Sequence, residues 1–321
     1  MKQLGLVLLA FSIFSYAQGT QQSSAGQQKP LDGHRGHDIA VSNTPTPDDM
    51  YCSGFLTTQR VSEAHTVIGG QGSPDQSHFG GETDRVFIFG GSDLKPGDRL
   101  QIVRHVRNPN QYERYAGERA AVKQVGEPYF ERGYVRVREV QKNVAIAVPE
   151  LSCGDIVPGD LAVPMVEREK PVFHPVTLDR FAVPNGKVTG RIVMANEFDS
   201  SVGSTQKVYL NIGEDKGLKV GDYLRVTRTY EYSNRELESG LSAKATDMED
   251  TMYSKPKIPK ERLKELPRLT LGDIIVLHVH PRSATAMILT ALEEIRVGDG
   301  VELIDAGGAP ESAAPATPPR N

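Results

Sequence analysis

Short stretches of alternating apolar and polar residues run through both halves of the chain. Such stretches, bounded by Gly, Pro, Asn and Asp, are typical of half-buried β-strands. The strands are expected near 53–58, 85–90, 99–106, 134–140, 143–149 and 161–166, and again near 188–195, 206–212, 223–230, 273–280, 284–290 and 300–304. Because many short strands alternate with turn-rich connections, the pattern predicts an all-β fold of two tandem, duplicated small barrels or sandwiches.

One five-residue phrase comes directly before four of these strands. It reads LKPGD at 94–98, IVPGD at 156–160, LKVGD at 218–222 and IRVGD at 295–299. Glycine supplies the positive φ that a tight turn needs, and aspartate accepts hydrogen bonds from nearby backbone. The phrase therefore predicts structural turns rather than acidic ligands for a substrate. The turn residues are Gly97 and Asp98, Gly159 and Asp160, Gly221 and Asp222, and Gly298 and Asp299.

The strand and turn patterns follow the same order in both halves, which indicates an internal repeat. Residues 85–100 parallel 207–224, and 134–160 parallel 274–299. The first strand of each half is matched as 54–57 with 190–193. Each half then has an inner turn and a closing turn, and the glycine-rich segment 69–72 is interpreted as a connection between strands.

Composition divides the chain into β-rich domains and polar connections. The predicted divisions are a signal peptide at 1–17, a disordered leader at 18–50, a first β-domain at 51–168, a linker at 169–186, a second β-domain at 187–306 and a disordered tail at 307–321. The leader and tail contain too few apolar residues to fold, and the prolines of the linker interrupt a strand ladder. Each half carries an insertion between its third and fourth strands, at 107–132 and at 231–270. The second insertion is charged, and a short helix is predicted at 259–266.

The N-terminus predicts export. Met1 and Lys2 precede an apolar run and the segment Ser-Tyr-Ala, which is the pattern of a signal peptide cleaved after Ala17. A periplasmic or extracellular location is expected, and an uncleaved N-terminal anchor is the alternative. No transmembrane segment is expected after cleavage because no other stretch is apolar over about 20 residues. In an oxidising compartment the two cysteines, Cys52 and Cys153, are expected to form a disulfide, and two free thiols are the alternative.

Charge and motifs restrict the function classes. The formal net charge is only -4, so no strong basic field favours a nucleic-acid partner. The glycines at 69–72 lack the Gly-Lys-Ser/Thr ending of a phosphate-binding loop, and no serine stands in a nucleophile motif. We expect no cofactor and a non-enzymatic binding or scaffolding protein.

Residues 208–299 carry a series of strand and turn signatures. The series is VYLNIG, GLKVGDYLRVTR, LGDIIVL, SATAMI and IRVGD. It resembles a β-rich module of exported bacterial envelope proteins, which occurs with LysM peptidoglycan-binding domains and in the C-terminal domain of flagellar assembly protein T. The first half resembles this module loosely, and the chain has no LysM domain of its own. The resemblance implies a periplasmic or surface-associated module whose partner is an envelope protein or peptidoglycan, and no catalytic residue carries over.

Two alternatives stay open from the sequence. A carbohydrate-binding module would use the insertion loops, where Tyr112, Tyr115, Tyr129 and Phe130 supply flat faces for stacking. A metal-dependent hydrolase of envelope polymers would use His278 and His280, whose side chains share one face of a predicted strand. No third ligand is evident near these histidines, so strand surface is the preferred interpretation.

Overall fold

Two closed six-stranded β-barrels form the body of the structure. The computed structural model describes residues 44–71, 79–81, 83–174, 176–229, 260–263 and 265–304. Both barrels belong to one compact unit, His37–Asn321. The predicted signal peptide, most of the leader, the tail and residues 231–259 of the second insertion lie outside the described residues.

Barrel 1 is built from the first half of the chain. A short strand, β1 (Phe55–Thr57), precedes it. The barrel strands are β2 (Thr66–Gln71), β3 (Arg85–Phe89), β4 (Arg99–His105), β5 (Glu127–Gln141), β6 (Val144–Ser152) and β7 (Leu161–Pro164). They are ordered β5-β4-β7-β2-β3-β6, and the pairing of β6 with β5 closes the ring. Strand β1 pairs with the first residues of β5 and stays outside the ring.

Barrel 2 is built from the second half with the same topology. Its strands are β8 (Thr189–Ala195), β10 (Lys207–Leu210), β11 (Tyr223–Arg228), β12 (Leu269–Val279), β13 (Ala284–Ala291) and β15 (Gly300–Ile304), and a separate small sheet joins β9 (Ser201–Val202) to β14 (Ile295–Arg296). The helices are α1 (Glu118–Val125), α2 (Lys260–Leu263) and 3-10 turns at Asp48–Met50, Gly91–Asp93, Asn196–Phe198 and Glu214–Lys216. Helix α2 lies within the predicted helical segment 259–266.

Strand register shows that the barrels are two copies of one unit. Val67 faces Ile88 between β2 and β3, and Ile192 faces Leu210 between β8 and β10. The bulge in each of these pairs falls at the same position, as do the bulges between β4 and β5 and between β11 and β12. The two bulges of the β5–β6 pair also recur in the β12–β13 pair. The internal repeat is therefore confirmed.

Each barrel encloses its own apolar core, because alternate strand residues point inward. In barrel 1 the inward residues include Ile88, Ile102 and Val137. In barrel 2 the core includes Leu210 and Val226. The small residues of β6 and β13 are alanines at matching positions in both cores: Ala145 and Ala147, and Ala284 and Ala286.

The four glycine-aspartate phrases form the turns that the sequence predicts. The glycines have φ values of 100°, 99°, 88° and 108° at Gly97, Gly159, Gly221 and Gly298. In each turn an aspartate oxygen accepts a hydrogen bond, at 2.7–2.9 Å, from the backbone N–H three residues earlier. The inner-turn glycines donate to the fourth strand of their barrel, and the closing-turn glycines donate to the first strand.

The first strand of barrel 1 is not the one that the sequence predicts. Strand β2 occupies the place that β8 has in barrel 2, so the match of 54–57 with 190–193 was wrong. Gly69 and Gly70 lie inside β2 rather than in a connection. A side chain at Gly70 would overlap the ring of Phe79 and the carbonyl of Arg85, so glycine is needed for close packing there.

The segments assigned as leader and linker are partly structural. Met50, placed in the leader, is buried among outward residues of barrel 2. In the linker, Phe173 and Val176 pack against the same cluster. The N–H of His174 donates to the hydroxyl of Tyr223 at 2.6 Å. The linker is therefore bound to the side of barrel 2.

Candidate interaction surface

Strand β1 and the first insertion join the two barrels. Ser283 Oγ donates to the carbonyl of Leu56 at 2.6 Å, and Thr285 Oγ1 donates to that of Gly54 at 2.9 Å. Around them, an apolar cluster combines residues from both barrels: Leu56, Val125 and Phe130 with Val193, Met194 and Tyr209. Barrel 1 thereby covers the outward side of β8, β10 and β13, which we call the barrel 2 face.

The disulfide lies beside this junction. Cys52 and Cys153 are bonded, as predicted, across a sequence separation of 101 residues. The bond attaches the segment before β1 to the residue that follows β6. It therefore fixes the starting point of the strand that reaches barrel 2.

A buried glutamate fixes the same segment from the barrel 1 side. Glu131 Oε2 accepts hydrogen bonds from the backbone N–H groups of Ser53 and Gly54, at 3.0 Å each. Its other oxygen lies 2.7 Å from Nη1 of Arg168. Burial opposes ionisation of this carboxyl, but the charge of Arg168 and the hydrogen bonds outweigh it and lower its pKa below the usual value. Glu131 is therefore a structural anion of the junction.

His278 belongs to this buried group and carries no metal-site geometry. Its Nε2 lies 2.6 Å from Nη1 of Arg168 and 2.9 Å from the carbonyl of Met50. Burial lowers the pKa of His278 to about 4, so the ring is neutral near pH 7. His280 packs on the ring of Phe55, with centroids 5.0 Å apart. The described part of the chain contains no group of three or more His, Cys, Asp or Glu that could hold a metal.

The four aromatic residues proposed for stacking do not form one exposed platform. Tyr115 is buried at the end of the barrel 2 core, against Gly298, and burial raises its pKa to about 12. Tyr129 stacks on Phe55, and Phe130 packs in the junction. Tyr112 alone of the four is exposed. The rings of Tyr115, Tyr129 and Phe130 therefore pack against other residues of the chain, and Tyr112 is left as the exposed ring of this set.

The exposed counterpart of the junction lies on barrel 1. The outward residues of β2, β3 and β6 form a contiguous apolar surface, which we call the barrel 1 face: Ile68, Phe87, Phe89, Val144 and Ile146. Phe87 is opposite Ile146, and Phe89 is opposite Val144. Ile68 is 51% exposed and Phe89 is 52% exposed. Because exposed apolar patches are typical of interaction surfaces, the barrel 1 face is the candidate surface of this protein.

Matching positions in the two barrels have opposite environments. The strand registers place Ile68 with Val193, Phe87 with Tyr209 and Ile146 with Thr285. All three barrel 2 residues are completely buried under β1 and the first insertion. The barrel 1 residues at these positions remain partly or largely exposed. The barrel 1 face is therefore exposed, whereas the equivalent surface of barrel 2 is buried in the junction.

Comparison with models of protein families and with curated proteins gives no significant match for this chain. Within the ranges that the structure describes, no helix is long and apolar enough to cross a membrane.

Proposed function

We propose that the protein is an exported, non-enzymatic scaffolding component of the bacterial cell envelope that binds a protein partner through the barrel 1 face. The observation that carries this proposal is the apolar surface of Ile68, Phe87 and Phe89. Its counterpart on barrel 2 is already a buried contact between two folded units. The barrel 1 face therefore offers the protein a second contact with a folded unit, of the kind that the barrel 2 face already makes.

The buried titratable groups support a structural role. Glu131 holds the backbone before β1, and His278 contacts Arg168 and the carbonyl of Met50. These groups are sealed between the barrels and are used in positioning them. The disulfide supports an oxidising location, and the N-terminal pattern supports export. Association with peptidoglycan or an envelope complex follows from the resemblance of residues 208–299 to envelope modules.

The chemistry of the face favours a protein partner over a glycan. Its five outward side chains are Ile, Val and Phe, which offer no hydrogen-bond donor or acceptor. Sugar recognition combines stacking with polar groups that bind hydroxyls. Apolar clusters that exclude water are typical of the centre of protein–protein interfaces.

Site-specific photocrosslinking in intact cells tests this function. A photoreactive phenylalanine at position 89 is expected to give a discrete crosslinked protein that mass spectrometry identifies. The same probe at Tyr112, which is 80% exposed on the first insertion, serves as the matched control. Absence of any product at position 89, or identical products at both positions, would refute binding through this face. Retention of a Phe89→Ser variant and the parent to the same extent on isolated peptidoglycan would exclude the face as a glycan site.

A further inference from the structure

The junction between the barrels shows which surface fits the exposed face. Barrel 1 covers barrel 2 with the segment before its first barrel strand, where Leu56 of β1 enters the apolar cluster. This segment is held against the start of β5, because Glu131 binds the N–H groups of Ser53 and Gly54. The barrel 2 face receives it through Val193 and Tyr209.

Barrel 2 has a segment in the position of β1. Thr270 of β12 corresponds to Glu131 by strand register, since each lies opposite the matching residue of the third strand. The N–H of Thr270 donates to the carbonyl of Arg180 at 2.8 Å. Arg268 Nε donates to the carbonyl of Ala182 at 2.9 Å. Residues 180–183 therefore lie beside the start of β12, at the place where β1 lies beside β5. They form a turn rather than a strand, since the N–H of Ala182 donates to the carbonyl of Asp179 at 3.3 Å.

This segment presents apolar side chains to solvent. Val183 is 79% exposed, and Phe181 is 57% exposed. Arg180 contacts Thr270 as Ser53 contacts Glu131, and Val183 follows Arg180 by three residues as Leu56 follows Ser53. By this count Val183 is the counterpart of Leu56, which is buried in the junction. We call residues 180–183 the donor segment. Among the described residues, the donor segment on barrel 2 and the barrel 1 face are thus two exposed apolar surfaces whose counterparts are buried in the junction.

We propose that a second copy of this chain binds head to tail, with the donor segment of one copy on the barrel 1 face of the next. This proposal rests on the proposed function and names the partner. Repeating the internal junction joins barrel 2 of one copy to barrel 1 of the next. The contact therefore uses two different surfaces of the molecule. A contact between different surfaces forms open chains, or rings if the rotation closes.

The contact between copies is weaker than the internal junction. Ser283 and Thr285 donate to the carbonyls of Leu56 and Gly54, whereas their barrel 1 counterparts are Val144 and Ile146. These residues offer only apolar contact, and the disulfide is confined to barrel 1. Assembly is therefore expected to be reversible and to depend on concentration.

Two complementary variants test the proposal. Protein purified from cells that express the full chain is examined by size-exclusion chromatography with light scattering over a range of concentrations. We expect the mass of the parent protein to rise with concentration. Ile68→Asp and Val183→Asp are each expected to weaken association at least about 30-fold, as loss of a central interface residue does. Val220→Asp replaces a valine of neither surface that is 49% exposed and should assemble like the parent.

A mixture of the two variants identifies the geometry. Ile68→Asp keeps an intact donor segment, and Val183→Asp keeps an intact barrel 1 face. Mixed in equal amounts, they are expected to form a heterodimer that grows no further. If Ile68→Asp abolishes association, Val183→Asp associates like the parent and mixing rescues nothing, the contact is symmetric. The head-to-tail arrangement is then wrong. Circular dichroism of each variant must match the parent, so that loss of assembly is not loss of folding.

The two proposals fail in different ways. A parent protein that stays monomeric at all concentrations, while position 89 crosslinks to a different envelope protein, would overturn self-association and leave the proposed function standing. A monomeric protein with no crosslink at position 89 would overturn both.

Discussion

The four glycine-aspartate turns should differ in their contribution to stability, although their sequences are nearly the same. In the closing turn of barrel 1, Asp160 is buried and accepts from Nε of Arg104 at 2.6 Å and Nη2 at 2.9 Å. It also accepts from the N–H of Val157 at 2.9 Å. In the inner turn, Asp98 is half-buried and accepts from the N–H of Lys95 at 2.8 Å.

Replacement of each aspartate by asparagine separates the contribution of the ion pair from that of the hydrogen bond within the turn. Asn at position 160 has one acceptor oxygen for three donors, and its amide N–H₂ faces the guanidinium of Arg104. Breaking one side of a buried ion pair costs about 3–5 kcal/mol, and the partial exposure of Arg104 places Asp160→Asn near the lower value, at about 3 kcal/mol. At Asp98 the amide oxygen can still accept from Lys95, so Asp98→Asn should cost about 1 kcal/mol or less.

Urea unfolding followed by far-UV circular dichroism measures the difference. Asp160→Asn is also expected to lower the melting temperature by about 6–12 °C, at about 2–4 °C per kcal/mol for a chain of this size. Barrel 2 supplies an independent repeat of this comparison. The carboxylate of Asp299 pairs with Arg228 at 2.8 Å through both oxygens, whereas that of Asp222 accepts from the N–H of Lys219 at 2.8 Å, within its own turn. Equal losses for Asp98→Asn and Asp160→Asn would refute the reasoning. The reasoning would also be refuted if the double variant Asp160→Asn with Arg104→Met lost as much unfolding free energy as the two single variants together.

Three further outcomes concern the disulfide, His278 and Tyr115. Cys52→Ser with Cys153→Ser should lower the free energy of unfolding by about 4–5 kcal/mol, from the loop entropy of about 100 residues. Urea titration of the parent with and without reductant checks this, and no difference would contradict it. His278 has a folded pKa of about 4 against 6.5 unfolded, so stability is greatest above pH 6.5 and falls as pH drops from 6.5 towards 4, by about 3 kcal/mol. His278→Gln should flatten that part of the stability–pH curve, and an unchanged slope would assign it elsewhere. Tyr115→Phe should be neutral or slightly stabilising in thermal unfolding, because the Tyr115 hydroxyl has no hydrogen-bond partner among the described residues, whereas Tyr115→Ala should cost about 3–5 kcal/mol. Equal effects of the two substitutions would show that the hydroxyl matters more than the ring.

Sequence reasoning located most of the strands but misplaced the first. Strand β2 was missed because Gly69 and Gly70 resemble a connection, whereas β1 was found and assigned to the wrong role. Both errors have one cause. The need for glycine in β2 arises from the ring of Phe79, and the position of β1 is decided by Ser283 and Thr285 of the other barrel. These contacts join residues far apart in the chain.

The candidate surface was not predictable from the sequence for the same reason. Phe87 and Tyr209 are aromatic residues at the same position in the second strand of each barrel, β3 and β10, with the same alternation around them. Tyr209 is completely buried and Phe87 is partly exposed. The alternation of apolar and polar residues indicates which side of a strand points outward from its own barrel. Whether a second unit covers that side depends on where the second unit packs.

The sequence by itself determined the features that depend on neighbours in the chain. Alternation placed the strands, and the φ of Gly97, Gly159, Gly221 and Gly298 follows from turn chemistry. The presence of two cysteines led to the disulfide. The tertiary structure alone decided which outward faces are covered, where Glu131 and His278 lie, and which apolar face remains open. Burial of an outward residue is a property of two packed surfaces, and neither surface encodes it alone.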